Sequence, residues 1–173
     1  MSKEIKQTEG IVCFEMNQIG VIRTPYADNA PYQPVKEEEG DFRVVVEPQY
    51  AEGLHKLAGF HYIYVIYYIH HVKGAQSMIV SPPWADGVQV GVFASRSPDR
   101  PNHIGLSIVR IKHIINNEIL TSGLDAFDGT PVLDIKPYIK DLDVKSDANY
   151  GWIKEIESHE HLLLHIKGIP HKY

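Results

Sequence analysis

His61-Tyr62-Ile63-Tyr64-Val65-Ile66-Tyr67-Tyr68-Ile69-His70-His71 is the stretch that decides the fold. It is aromatic and β-branched throughout, and too short for a membrane helix. In extended conformation Tyr62, Tyr64, Ile66, Tyr68 and His70 share one face, and His61, Ile63, Val65, Tyr67, Ile69 and His71 share the other. Both faces are apolar, so the spacing predicts a strand covered on both sides. A central barrel strand, or a strand whose outer face is covered by a partner subunit, meets that requirement.

Shorter strand-like runs surround it. Gln18–Arg23 ends at Thr24-Pro25, and Phe42–Glu47 is stopped by Pro48. Val88–Ala94, His103–Ile115, Ile119–Leu124 and Val132–Ile135 read as further strands, with Asn116-Asn117 as a hairpin tip. Ile153–Ile156 and Leu162–Ile166 read as a closing hairpin. Gln49–Ala58 reads as a short helix with Leu54 and Leu57 on its buried side and Gly59 as its stop. Many short strands, turns and little helix predict a mainly β fold: a small single-domain β-barrel with short helical connections, not a Rossmann fold. Residues 1–17 read as an N-terminal arm, 18–145 as the barrel domain and 146–173 as a C-terminal extension packing on it.

The chain has 173 residues and is 43% hydrophobic, enough for one domain with a full core. Its 23% charged residues form no long polar tract, which argues for a folded chain. The single Cys13 excludes an intrachain disulfide framework and fits a reducing cytosol. The polar first residues contain no secretory leader, and no apolar run approaches the ~20 residues of a membrane helix. A net charge of −5 argues against nonspecific coating of nucleic acid. Between Val88 and Lys112, however, Arg96, Arg100, Arg110 and Lys112 face only Asp99 as an acid. A focused basic patch on an acidic protein can dock one specific nucleic acid.

The chemistry-bearing residues concentrate in two segments. Gly91-Val-Phe-Ala-Ser-Arg-Ser-Pro-Asp-Arg-Pro-Asn-His-Ile-Gly105 crowds prolines, serines, Arg96, Arg100 and Asn102 between two strands. Proline fixes φ and stiffens a loop, and arginine forks match carboxylate or phosphate. This is the make-up of a site for an anionic or highly polar ligand; a proline-stiffened surface turn is its bland counterpart. In Asp125-Ala-Phe-Asp-Gly-Thr-Pro-Val-Leu-Asp-Ile-Lys-Pro-Tyr138, the Asp128–Pro131 stretch is a turn by its chemistry. Asp134, Lys136 and Tyr138 alternate with Ile135 and Pro137, so they project from one face, either as a polar binding wall or as a surface strand with a salt bridge.

Several signatures are absent: no Gly-x-Gly-x-x-Gly after a strand, no phosphate loop, no cysteine pair and no His-Glu-x-x-His. Ser81-Pro82-Pro83-Trp84 imitates the tetrapeptide with which many Rossmann-type adenine amino-methyltransferases grip an amine, but without that fold it reads as a rigid turn. Among the ten histidines, His70 and His71 are adjacent on a strand and so are expected on opposite faces. No carboxylate–histidine spacing supports a metal site. The sequence therefore offers no metal site as its first reading; a metal-dependent barrel hydrolase using His70 and His103 is a third alternative.

Three blocks, Ile19–Tyr26, Gly91–Gly105 and Asp128–Tyr138, together resemble the TsaA-like (TrmO) family of S-adenosylmethionine-dependent tRNA adenine-N6 methyltransferases. They occur in the family's order and span roughly Gln18 to Asp143. The resemblance implies a homodimeric small barrel, with S-adenosylmethionine near the subunit interface and N6 of threonylcarbamoyladenosine, beside the anticodon of threonine tRNA, as the methyl acceptor. It implies cofactor contacts at Pro31, Tyr32, Gln33, His70, His71, Arg96, Leu106, Phe127, Asp128, Gly129 and Thr130. Asp134 and Tyr138 are candidate bases, with Asn102 as an orienting partner and Arg100 and Lys136 toward tRNA phosphates. Two positions depart from the family: His71 replaces the glutamine of a His-Gln pair, and His103 a common proline. Longer bacterial relatives carry a further C-terminal domain, which places the substrate in question more than the cofactor. The runner-up is a non-catalytic barrel that binds S-adenosylmethionine or a nucleotide and regulates a partner.

Overall fold

The computed structural model describes residues 7–8, 11–27, 40–72, 76–85 and 87–156. In chain order the strands are β1 (Gln7–Thr8), β2 (Ile11–Val12), β3 (Gly20–Arg23), β4 (Arg43–Val46), β5 (Tyr62–Tyr68), β6 (Ile79–Val80), β7 (Val90–Gly91), β8 (Ile104–Ile115), β9 (Glu118–Thr121) and β10 (Pro131–Pro137). Six of them close into a barrel in the order β10-β3-β4-β9-β8-β5, and β5 pairs back onto β10. Each neighbouring pair is antiparallel. β1 pairs β2 and β6 pairs β7 as separate two-stranded ladders.

Alternation fills the barrel. Ile63, Val65 and Tyr67 of β5 point inward and meet Ile22, Val44, Val46, Val109, Ile119, Leu124 and Val132. Truncating such a residue, Ile63 for instance, removes about 2–5 kcal/mol. Within one chain the outer face of β5 is only partly covered. Tyr62 and Tyr68 remain 40% and 45% exposed, and Tyr64 and Ile66 are only half-buried. A barrel strand has one core side, because its neighbours lie beside it rather than over it.

Other local expectations shift for similar reasons. Lys56, left-handed at φ 66°, splits the run into two short 3-10 turns, Pro48–Leu54 and Leu57–Gly59, instead of one helix, although Leu57 is buried and Leu54 packs on the core. Val88–Ala94 is not one strand: β7 ends at Gly91 and a 3-10 turn, Val92–Ala94, follows because Val92 turns inward to burial. Ile153–Ile156 belongs to a 3-10 turn (Gly151–Glu155) rather than a hairpin, and its companion Leu162–Ile166 lies outside the described residues. Asn116-Asn117 does link β8 and β9 as a two-residue turn, with Asn116 at φ 54° and Asn117 Nδ2 donating to the Val46 carbonyl.

Connectivity decides where the site can form. The ends of β3, β5 and β9 and the starts of β4, β8 and β10 share one end of the barrel. The long connections β3–β4, β5–β8 and β9–β10 all leave from that end. At its mouth the Tyr67 ring lies over Gly105, where an added Cβ would stand 2.1 Å from Tyr67 Cε2. Gly105→Ala must displace that buried ring, at about 1–3 kcal/mol. Urea denaturation of Gly105→Ala and wild type is the check; an unchanged midpoint would place the ring elsewhere.

Candidate functional site

The β9–β10 connection carries the Phe127–Thr130 turn and is held from two sides. Thr24 Oγ1 donates to the Ala126 carbonyl at 2.8 Å, and the Asp128 amide donates to the Tyr26 carbonyl at 2.8 Å. The Asp128 carboxylate accepts from the Thr24 amide at 3.2 Å and from Arg23 Nη1 at 3.1 Å. Gly129 sits at φ 78°, a left-handed conformation that favours glycine, and a Cβ there would meet open space. Thr130 is buried, with its hydroxyl 3.3 Å from His70 Nδ1.

His70 and His71 are not on opposite faces. β5 ends at Tyr68 and the pair occupies a turn, so their rings lie 3.9 Å apart and His71 packs against Phe127 at 4.9 Å. Burial, and secondarily the charge of His71, hold His70 below its ordinary value of 6.5. The turn thus presents a neutral imidazole, an aromatic wall and an unobstructed glycine.

The Gly91–Gly105 loop is knitted by its own polar groups. Ser95 Oγ donates to the Val92 carbonyl, and the Ser97 and Asp99 amides donate to Ser95 Oγ and Ser97 Oγ. Arg100, read from sequence as facing phosphate, turns inward: Nε donates to the Ser97 carbonyl at 2.8 Å, and Nη2 to those of Ser95 at 2.7 Å and Val92 at 3.3 Å. Trp152 Nε1 donates to the Ala94 carbonyl at 2.8 Å, and its ring stacks on Trp84 at 5.5 Å. The Ser-Pro-Pro-Trp turn therefore serves to brace this loop. Arg96 is exposed, and Leu106 is 45% exposed on the outer face of β8.

Beside these groups lies a cleft of about 500 Å³, lined by Phe14, Met16, Gln18, Tyr68, Gln76, Pro101, Asn102, His103, Ile104, Pro131 and Leu133. Tyr68 and His103 stack along it at 6.2 Å. His103 thus supplies an aromatic face to the cleft.

The remaining candidates lie apart. Leu133 is the extra residue of a β-bulge that sets Asp134 opposite Ile66 and Lys136 opposite Tyr64. Lys136 Nζ pairs with Asp134 Oδ2 at 2.7 Å on the outer face. Tyr138 contacts Tyr62 and Tyr64 at the far end of the barrel, roughly 25 Å of strand from Thr130. Within one chain the fold brings His70, His71 and Phe127–Thr130 together and keeps Tyr138 away. Pro31, Tyr32 and Gln33 lie outside the described residues. Among the described residues no three His, Cys, Asp or Glu side chains cluster as a metal site, and no helix is long and apolar enough to cross a membrane.

The pattern of the tRNA-methyltransferase O N-terminal domain matches residues 21–144. The chain belongs to this family. An S-adenosyl-L-methionine-binding protein of Archaeoglobus fulgidus is 35% identical over 130 residues, 74% of this chain and 91% of that protein. The tRNA (adenine(37)-N6)-methyltransferase of Escherichia coli is 36% identical over 157 residues, 85% of this chain and 67% of the relative. The crystal structure of TrmO from Pseudomonas aeruginosa superposes with a TM-score of 0.66 at 30% identity, covering 80% of this chain and 62% of that one. The chain thus spans a little under two thirds of that solved TrmO chain.

The depressed His70 has a measurable consequence. The unfolded chain binds this proton more readily than the native protein, so the stability of the neutral form is fully present above pH 6.5 and is lost as pH falls below it. Between pH 7.5 and 5.5 wild type is expected to lose more stability than His70→Gln in chemical denaturation. Equal losses would show that His70 titrates alike in both states.

Proposed function

We propose that this protein is an S-adenosylmethionine-dependent tRNA adenine-N6 methyltransferase acting on N6 of threonylcarbamoyladenosine at position 37 of threonine tRNA in the cytoplasm. The observation that carries the reading is the convergence at one barrel end of His70, His71 and Phe127–Thr130 with the stiffened loop that bears Arg96. The methyl donor presents an adenosine and an amino-acid carboxylate, and this end of the barrel offers matching chemistry: Phe127 and His71 as aromatic faces, Arg96 as a cation, and Leu106 on the adjoining outer face of β8 as an apolar contact. Bound there, S-adenosylmethionine supplies an electrophilic methyl group. Pro31, Tyr32 and Gln33 complete the contact set in this proposal.

The protein's part is alignment, which accounts for much of the barrier to a two-substrate transfer. Asn102, on the cleft wall, orients the acceptor base, and Tyr68 and His103 stack on it. The ureido N6–H is more acidic than an ordinary adenine amine, so a modest base suffices.

Assembly bears on which base that is. Tyr64, Ile66 and Tyr68 of β5 lie beside Ile108, Leu106 and Ile104 of β8 as an apolar outer face, whose β8 residues are 40–51% exposed. A face of this kind fits a second copy of the chain across a two-fold axis. With strands crossing antiparallel, the Tyr138 end of one protomer approaches the His70 end of its partner. Asp134 and Tyr138 then serve as bases, and Lys136 as a phosphate contact, across the interface. Arg100 contributes by ordering the loop that meets the tRNA. Ile108→Glu is expected to convert a dimer to monomer in sedimentation velocity; a monomeric wild type would refute the assembly.

The deciding experiment is methyl transfer from labelled S-adenosylmethionine to threonine tRNA with and without the threonylcarbamoyl group, followed by nucleoside mass analysis. Methyl is expected on the modified tRNA alone. Binding of S-adenosylmethionine with no transfer to either would favour the regulatory barrel, the reading that the name of the Archaeoglobus fulgidus relative supports. Full turnover by both Asp134→Asn and Tyr138→Phe would remove those two bases.

A further inference from the structure

At the mouth of the barrel three polar side chains meet. The Tyr67 hydroxyl and Ser107 Oγ lie 3.1 Å apart, and Asp125 Oδ1 accepts from Ser107 Oγ at 2.6 Å and from the Tyr67 hydroxyl at 3.3 Å. Tyr67 and Ser107 are only 4% and 6% exposed. Polar groups so placed destabilise a core unless bonded, and an all-hydrocarbon trio would fill the same volume without that demand. Position explains their use better than stability does. Tyr67 stands three residues before His70 on β5, Ser107 directly follows Leu106 on β8, and Asp125 stands two residues before Phe127.

We infer that Asp125 is a positioning residue: with Tyr67 and Ser107 it forms a hydrogen-bonded clasp that fixes the Phe127–Thr130 turn against β5 and β8 and so sets the affinity for S-adenosylmethionine. The inference rests on the proposed cofactor site and adds to it. Thr24 and Tyr26 hold the outer side of the turn through the Ala126 carbonyl and the Asp128 amide. The clasp holds its inner side and ties this turn directly, by hydrogen bonds, to the strand that carries Leu106. A carboxylate acceptor makes these bonds charge-assisted and strong. Without Asp125 one of the two hydroxyls still donates to the other, so a single donor is left to find water at the barrel mouth while the turn loses its inner anchor.

The test compares wild type with Asp125→Ala, Asp125→Asn and Tyr67→Phe, measuring S-adenosylmethionine affinity by calorimetry and melting by circular dichroism. Asp125→Ala is expected to weaken binding about tenfold or more, a charge-assisted bond's worth, with melting within a few degrees of wild type. Asp125→Asn keeps an acceptor and is expected to recover most of the affinity. In methyl transfer the Asp125→Ala effect is expected in KM for the donor, with kcat at saturation within about threefold. Should Asp125→Ala fail to fold, Tyr67→Phe carries the test, because its ring still covers Gly105. Binding within twofold of wild type in a folded Asp125→Ala, or in Tyr67→Phe where Asp125→Ala does not fold, would overturn the inference while leaving the cofactor site intact. Absence of binding by wild type would instead remove the cofactor reading, and this inference with it.

Discussion

Pairing of β10 with β5 is the contact on which the rest depends. Without it the six strands form an open sheet, and the β9–β10 connection has no reason to lie beside the end of β5. With it, Val132 aligns with Tyr67, so the Phe127–Thr130 turn and the His70–His71 turn emerge side by side. The bulge at Leu133 belongs to the same pairing. It shifts register by one residue, which directs Asp134 and Lys136 to the outer face while Val132 stays in the core.

Around that closure, stiffness comes from short hydrogen bonds between side chains and loop backbone rather than from regular structure. The Gly91–Gly105 loop contains only one short 3-10 turn, yet Ser95, Ser97, Arg100 and Trp152 occupy its carbonyls and amides one after another. The Phe127–Thr130 turn is treated the same way by Thr24, Tyr26 and Asp128. Such preorganisation lowers the conformational entropy lost when a polar ligand binds. It also reassigns Arg100, whose charge in the sequence points outward to phosphate but whose donors face in.

Much of the fold was legible in the sequence because strands announce themselves locally. Alternation along Tyr62–Tyr68, β-branched runs at Arg43–Val46 and Ile104–Ile115, and the Asn116-Asn117 turn each need only a few neighbouring residues to be read. The failures share a cause. A continuous strand through Val92 and opposed His70 and His71 both assume that a local pattern runs on, and in each case a turn interrupts it.

The candidate site divides along the same line. Sequence by itself determined the mainly β class, the residues rich in chemistry, and the resemblance that sorted them into blocks, because composition and order are properties of the chain alone. Only the tertiary structure decided which of those residues meet. It joined Phe127 to His71, and it joined Asp125 to Tyr67, 58 positions away; it sent Tyr138 to the other end of the barrel. Strand order and register around a closed sheet fix such distances, and neither is written in any local stretch of residues.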